Sequence, residues 1–205
     1  MAVINTLLGA SVSLVPLYYL CLQQKTNCMS EKYKIFPGGL YFVTMTVVGW
    51  IDVFTRAVYC DEIIANLNYC IENKGLRIYA FVIMPSHIHL IAKVENEGNL
   101  SDILRDFKSH TSKKIISMIE ESESESRKEW LLYMFEFFGK KQIHNKKYQF
   151  WQQNNHAFDL FSNKFIDQKF DYIHNNPVEA RIVTEPSYYV YSSANEFTNL
   201  KLYEF

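Results

Sequence analysis

The stretch Met84–Val94, MPSHIHLIAKV, sets His87 and His89 two residues apart within an apolar run. On an extended strand, residues i and i+2 point to one face, so the two imidazoles project side by side with Ile88 and Leu90 on the other face. Ring nitrogens paired in this way can share one divalent metal ion. They can equally be two strand histidines bonded to the backbone. A second group lies far downstream, in SNKFIDQKFDYIHNNP. There Ile166, Phe170, Ile173 and Pro177 follow helical spacing toward a core, and Lys169, Tyr172 and Asn176 form a polar stripe beside them. Tyr172 offers a hydroxyl nucleophile, Asn176 an amide oxygen for a hard cation, and Lys169 a positive charge. Singly, a helix-surface tyrosine and an asparagine ahead of proline are ordinary helix-ending residues. Together the two groups hold what metal-assisted phosphoryl transfer requires: two imidazoles, an oxygen ligand, a hydroxyl and a nearby cation.

These residues need elements to position them. LYFVTMTVV, Leu40–Val48, alternates and is rich in β-branched residues, which predicts a strand. In CDEIIANLNYCIENKG the apolar residues Ile63, Ile64, Leu67, Cys70 and Ile71 predict a helix closed by Gly75. LRIYAFVIM and HIHLIAKV are two further strands, and the short Pro85–Ser86 break between them predicts an antiparallel hairpin. NLSDILRDFKSHTSKKIISMI is a second helix. The run EESESESRKE, near 120–129, reads as a flexible, solvated acidic insertion. WLLYMFEFF reads as a short apolar helix over the core, KKYQFWQ as a fourth strand, and SNKFIDQKFDYIHNN as a last helix stopped by Pro177. The order β-α-β-β-α-β plus a helix predicts an α+β, ferredoxin-like (split βαβ) antiparallel sheet with helices on one face.

Composition sets bounds. The chain has 205 residues, a net charge of -1 and 48% hydrophobic residues, enough for one domain with a sizeable core and no global basic character. A nucleic-acid partner must therefore be met by local charge. Arg105, Lys108, Lys113 and Lys114 on the second helix, Lys146 and Lys147 ahead of Tyr148, Phe150 and Trp151, and Lys169 are the DNA-binding candidates. The same residues also fit a solvated helix face and a basic loop. Cys21, Cys28, Cys60 and Cys70 have no metal-binding or paired spacing and are expected to be free thiols in a reducing compartment. Residues 1–28 begin with an uncharged stretch, Ala2–Leu22, which fits an anchor, a disordered extension or a segment ahead of a true start at Met29. Its polar residues, Pro16 and the lack of a preceding basic residue favour the last reading. The domain is expected over 29–198.

FVIMPSHIHLIAKV, KYQFWQQNNHAFDL and FDYIHNNPVEARIV followed by YSSA occur in the order that resembles the REP-associated tyrosine transposases, within the single-tyrosine HUH transposases of small insertion sequences. The resemblance covers about Lys32 to Asn195. It implies an HUH endonuclease fold in which His87 and His89 are the metal-binding pair, Asn176 the third ligand and Tyr172 the catalytic tyrosine. It also implies Mg²⁺ or Mn²⁺ as cofactor and single-stranded or hairpin DNA as partner. A homodimer, a 5′-phosphotyrosine intermediate and a cytoplasmic, nucleoid-associated location without a membrane partner follow from it as well. Insertion-sequence relatives often carry Gln where this chain has the shorter Asn176. His156 matches a recurrent family position without an evident chemical role, and His144 and His174 read as surface histidines. A non-catalytic member binding DNA or RNA hairpins is the alternative, and a nuclease using activated water is a third class that would not need Tyr172.

Overall fold

The computed structural model describes residues 35, 38–95, 98–141, 147–153 and 156–205. The expected extension or anchor at 1–28, with Cys21, Cys28 and Met29, lies outside the described residues. Four strands, β1 (Tyr41–Thr46), β2 (Leu76–Met84), β3 (His87–Val94) and β4 (His156–Asp159), pair antiparallel in the order β2-β3-β1-β4. Among the described residues, four helices, α1 (Ala57–Lys74), α2 (Leu100–Glu121), α3 (Lys128–Lys140) and α4 (Asn163–Glu179), complete the α+β fold. The predicted ferredoxin-like arrangement holds: β3 lies between β1 and β2, which α1 connects, and β1 lies between β3 and β4. The Pro85–Ser86 turn closes the β2–β3 hairpin, with Met84 opposite His87. Gly75 caps α1 in the left-handed conformation, its N–H donating to the Cys70 carbonyl. Cys60 and Cys70 are buried free thiols, and burial pushes the Cys60 thiol up to about 12.

The sheet is buried on both faces, and the helices follow from that. Val43, Met45, Ile88, Leu90 and Ala92 point into a large core with α1, α2 and α3. Phe42, Val82, Met84 and Ile91 point the other way, into a second cluster with Leu160 and Ile173. A strand apolar on both sides needs cover on both sides. Helices on one face alone were expected; the cover on the second face is α4, packed on β2 and β3. A β-bulge between Ile78 and Ala80 sets both Tyr79 and Ala80 on the α4 side.

Three further expectations change. The fourth strand is His156–Asp159, paired with β1, while the Tyr148–Gln152 segment makes only an isolated bridge, Trp151 to Val47. Phe150 and Trp151 are both buried in the larger core, their rings 6.2 and 5.8 Å from that of Phe54. Consecutive side chains on one side cannot keep the alternation of a strand. Pro177 falls inside the last turn of α4, where a missing N–H forfeits one helical bond, and the helix runs on to Glu179. The acidic run is not a uniformly solvated insertion, because Glu125 within it is buried. The Arg56 guanidinium lies 2.6 Å and that of Arg127 3.4 Å from its carboxylate. The Tyr59 hydroxyl and the Arg127 backbone N–H also donate to it, at 3.3 and 3.1 Å. This carboxylate ties the α2–α3 connection to the start of α1.

The outer edge of β2 is covered by the YSSA segment. Ile83 N–H donates to the Tyr191 carbonyl, Ser193 N–H to the Phe81 carbonyl, and Val82 bridges Ser192. An open edge would invite pairing with another chain. Among the described residues no helix is long and apolar enough to cross a membrane.

Burial alone would raise the Glu125 carboxyl, but the Arg127 N–H and the Arg56 and Arg127 guanidinium groups hold it below the usual range. A depressed carboxylate contributes stability above its unfolded pKa, which is lost as pH falls through the folded one. Glu125→Gln is therefore expected to cost about 1–3 kcal/mol at pH 7, discounted because both arginines are partly exposed. The difference from the parent should shrink below about pH 4. Urea denaturation at pH 7 and pH 3.5 checks this; an equal difference at both values would refute an ionic role.

Candidate active site

His87 and His89 lie on β3 and face the α4 side, in the alternation that sends Ile88 and Leu90 to the main core. His89 sits opposite Thr44 of β1 and Val82 of β2, and His87 opposite Thr46 and Met84. The two rings are 4.8 Å apart, centroid to centroid, at 74°. His89 is 5% exposed, stacked 5.2 Å from the Phe42 ring, and its Nδ1 lies 2.8 Å from the Thr44 hydroxyl. Its Nε2 is buried without a hydrogen-bond partner. His87 is half-buried, its Nδ1 3.2 Å from the Ser86 hydroxyl.

The α4 helix brings Tyr172 and Lys169 to this pair. The Tyr172 ring stands edge-on to His89 at 5.2 Å and to Phe42 at 5.9 Å. Tyr172 is 37% exposed, so a substrate can reach it. The Lys169 ammonium lies 4.7 Å from the Phe42 ring centre and 5.3 Å from that of Tyr172. Asn176, one turn beyond Tyr172, is buried at 9% exposure. Ile173 between them is fully buried against the sheet and fixes the rotation of the helix.

Burial pushes the His87 imidazole down to about 4. His89 is pushed well below its ordinary value by burial first and then by the charges of His87 and Lys169. Both rings are neutral at neutral pH and present lone pairs rather than cations. If Nδ1 of His89 donates to Thr44, its bare Nε2 is the acceptor, the tautomer a metal requires. Among the described residues no three His, Cys, Asp or Glu side chains cluster. A metal here would take two imidazoles and complete its sphere with neutral or substrate oxygens, which suits Asn176 and a phosphate.

The basic candidates are not all brought together. Arg105 is paired with Asp102 and Asp106. Lys108 donates to the Gln152 carbonyl, and burial pushes its ammonium down to about 8. Lys113 and Lys114 are exposed, and Lys147 lies 3.8 Å from Glu120. All of these except Lys147 belong to α2, which packs on the face opposite the histidines. Lys146 and His144 lie outside the described residues. Of the expected DNA-binding residues that are described, Lys169 alone shares the face of the histidine pair. His174 is no simple surface residue: it is half-buried, its Nε2 2.8 Å from the Ser193 hydroxyl, and it links α4 to the edge-covering YSSA segment. The backbone of His156 pairs with Thr44. The spacing arguments missed Trp50, whose ring stands edge-on to His87 at 5.4 Å. The signal available was a Gly-Trp pair directly after a predicted strand.

Residues 51–148 match the model of a family described as transposase, IS200-like. Among solved structures the chain is similar to the REP-associated tyrosine transposase bound to a REP hairpin, with 19% identity and a TM-score of 0.55 over 80% of this chain and 82% of that one. It is also similar to a putative transposase from Deinococcus radiodurans R1, with 17% identity and a TM-score of 0.42 over 72% and 97%. No curated protein matches the sequence significantly. The family match over residues 51–148 and the similarity of fold agree with the resemblance that the motifs carry.

The neutral state of the pair is measurable. An NMR titration of the His87 ring should give a midpoint of about 4 in the folded protein. A midpoint near the ordinary ~6.5 would mean that the ring stands in solvent.

Proposed function

We propose that this chain cleaves and rejoins single-stranded DNA near hairpins, with Tyr172 as nucleophile and His87, His89 and Asn176 as ligands for Mg²⁺ or Mn²⁺. The observation that carries the reading is the approach of an accessible phenol to a buried histidine whose Nε2 has no partner. The Tyr172 oxygen attacks the phosphorus, the bond to the 3′ oxygen breaks, and a 5′-phosphotyrosine and a free 3′ hydroxyl result. The phenol gives up its proton in this step, and the departing 3′ oxygen takes one up. Rejoining is the reverse attack by a 3′ hydroxyl and needs no external energy, because the phosphodiester energy is kept in the covalent link. A divalent ion at the pair would neutralise the non-bridging oxygens and align the scissile bond.

The protein's own part is positioning. The Phe42 ring and the Ile173 contact hold the Tyr172 ring beside His89, and Lys169 supplies charge on the same side. Hairpin DNA as substrate is supported by the relative of similar fold that was solved on a REP hairpin. Joining two ends favours a homodimer as the working unit. An accessible tyrosine beside two neutral imidazoles favours this reading over a member that only binds hairpins, and over hydrolysis by activated water, for which Tyr172 would be superfluous.

Tyr172→Phe keeps the ring and its packing while removing the nucleophile. It is expected to fold, to bind hairpin DNA and to form no covalent adduct, with rejoining at background. His87→Ala and His89→Ala should abolish Mn²⁺-dependent cleavage and leave most hairpin binding, which rests on phosphate contacts. Asn176→Ala should be milder, since water can replace one neutral oxygen. Denaturing gels of labelled hairpin oligonucleotides, with peptide mapping of the trapped adduct, check all four variants. An adduct on Tyr148, Tyr188, Tyr189 or Tyr191, or cutting by Tyr172→Phe at the parent rate, overturns the mechanism.

A further inference from the structure

At the end of β1 the chain turns sharply through Val48–Trp50. Its two consecutive residues Gly49 and Trp50 both take positive φ, 61° and 56°. Glycine adopts that conformation without strain, and Gly49 has a second reason to be glycine. A Cβ there would lie 2.7 Å from the Phe138 ring. Trp50 has neither excuse. A bulky residue at positive φ is strained, and such strain persists where the surroundings impose it and a function uses it.

The surroundings do impose it. Val47 N–H donates to the Ser86 carbonyl and Val48 N–H to the Phe150 carbonyl, while Trp50 and Ile51 N–H close the turn on Val47 and Val48. Val48 and Ile51 are buried on either side. Between these two anchors the turn carries the largest aromatic side chain and leaves it 44% exposed. Its ring stands edge-on to His87. Trp50, His87, His89 and Tyr172 thus form a row of rings with successive centroid distances of 5.4, 4.8 and 5.2 Å. A core or cap role would bury the indole. A turn that only needed closing would be served by Gly or Asn.

We infer that Trp50 is the stacking platform for an unpaired base flanking the phosphate that Tyr172 attacks. The inference rests on the proposed tyrosine chemistry for the position of that phosphate. A single strand whose phosphate lies at the His89–Tyr172 end of the row carries its neighbouring base past His87 to the indole. Every base has a π-face, so this contact is tolerant of sequence and separates unpaired from paired DNA, because a base in a duplex has no free face to give. Trp50 is a substrate-positioning residue and takes no part in bond making.

The test uses the full chain carrying Tyr172→Phe, so that nothing is cut, and the hairpin oligonucleotide on which the adduct is scored. Its single-stranded flanks are made either base-bearing or abasic. The Trp50-containing protein is expected to prefer the base-bearing strand by roughly 5- to 100-fold. Trp50→Ala should lose that preference and bind the abasic strand as the parent does, and Trp50→Phe should keep part of it. Trp50→Gly, which suits the left-handed backbone, should lose the preference while keeping its unfolding midpoint, and so separates stacking from folding. Survival of the preference without the indole, or an equal loss on both strands, overturns the inference. The adduct is scored separately with Tyr172 intact. An adduct with Trp50-independent binding removes the stacking alone; Trp50-dependent binding without an adduct upholds the stacking and removes the tyrosine chemistry alone.

Discussion

The candidate site depends on a sheet that is apolar on both faces. The central strand β3 sends Ile88, Leu90 and Ala92 into one core and Ile91 into the other. The second face cannot be left to water, and α4 is what closes it, through Ile173 and the flanking Ile166 and Phe170. The contacts that seat the helix also carry Tyr172 to within 5.2 Å of the His89 ring. Packing and chemistry are therefore one problem here. The burial that α4 and Phe42 impose on His89 removes its charge and leaves its Nε2 unpaired. On an open sheet face the same histidine would be hydrated and half-protonated near pH 6.5.

The two faces also divide the charges. The α2 helix is rich in basic residues, but it lies over the other core, and Arg105 and Lys108 are already engaged by Asp102, Asp106 and a backbone carbonyl. On the proposed function, a phosphate at Tyr172 would meet Lys169 instead, which is held over the Phe42 and Tyr172 rings. On that reading, a single cation among the described residues would leave charge on a polyanionic substrate for a divalent ion at the histidine pair to neutralise. The lysines of α2 can serve only a strand that wraps round to the opposite face.

Much of this was legible in the sequence because it is local. The i, i+2 spacing of His87 and His89 and the i, i+4 spacing of Tyr172 and Asn176 translate directly into shared faces of a strand and a helix. The hairpin at Pro85–Ser86, the Gly75 cap and the order of elements are local in the same sense. What the sequence concealed is set by contacts between distant residues. Glu125 reads as one more charge in an acidic run, and only Arg56 and Tyr59, more than sixty residues earlier, make it a buried anchor. His174 reads as a surface residue until Ser193 folds back on it. Phe150 and Trp151 read as a strand until both rings are needed in the same core. The basic residues of α2 show the same limit. Periodicity says which side of a helix is polar, and says nothing about which face of the sheet the helix will cover.

Trp50 lies between these cases. Its Gly-Trp pair after a strand marks a turn, but the meaning of that turn depends on Ser86, Phe138 and Phe150, which fix the backbone from three other parts of the chain. The result is a site with one closed wall and one open rim. Thr44, Phe42 and Ile173 hold the closed wall, at the deep edge of His89. His87, Trp50 and Tyr172 form the rim, each with surface exposed to solvent. On the proposed function, a rigid inner wall would keep the metal-binding nitrogens in place, and an aromatic rim would admit a flexible chain with flat, unpaired bases. A duplex offers neither free base faces nor a backbone that bends sharply into a cleft. On the proposed function, with Trp50 as the base platform, the shape of the site would favour single-stranded over duplex DNA.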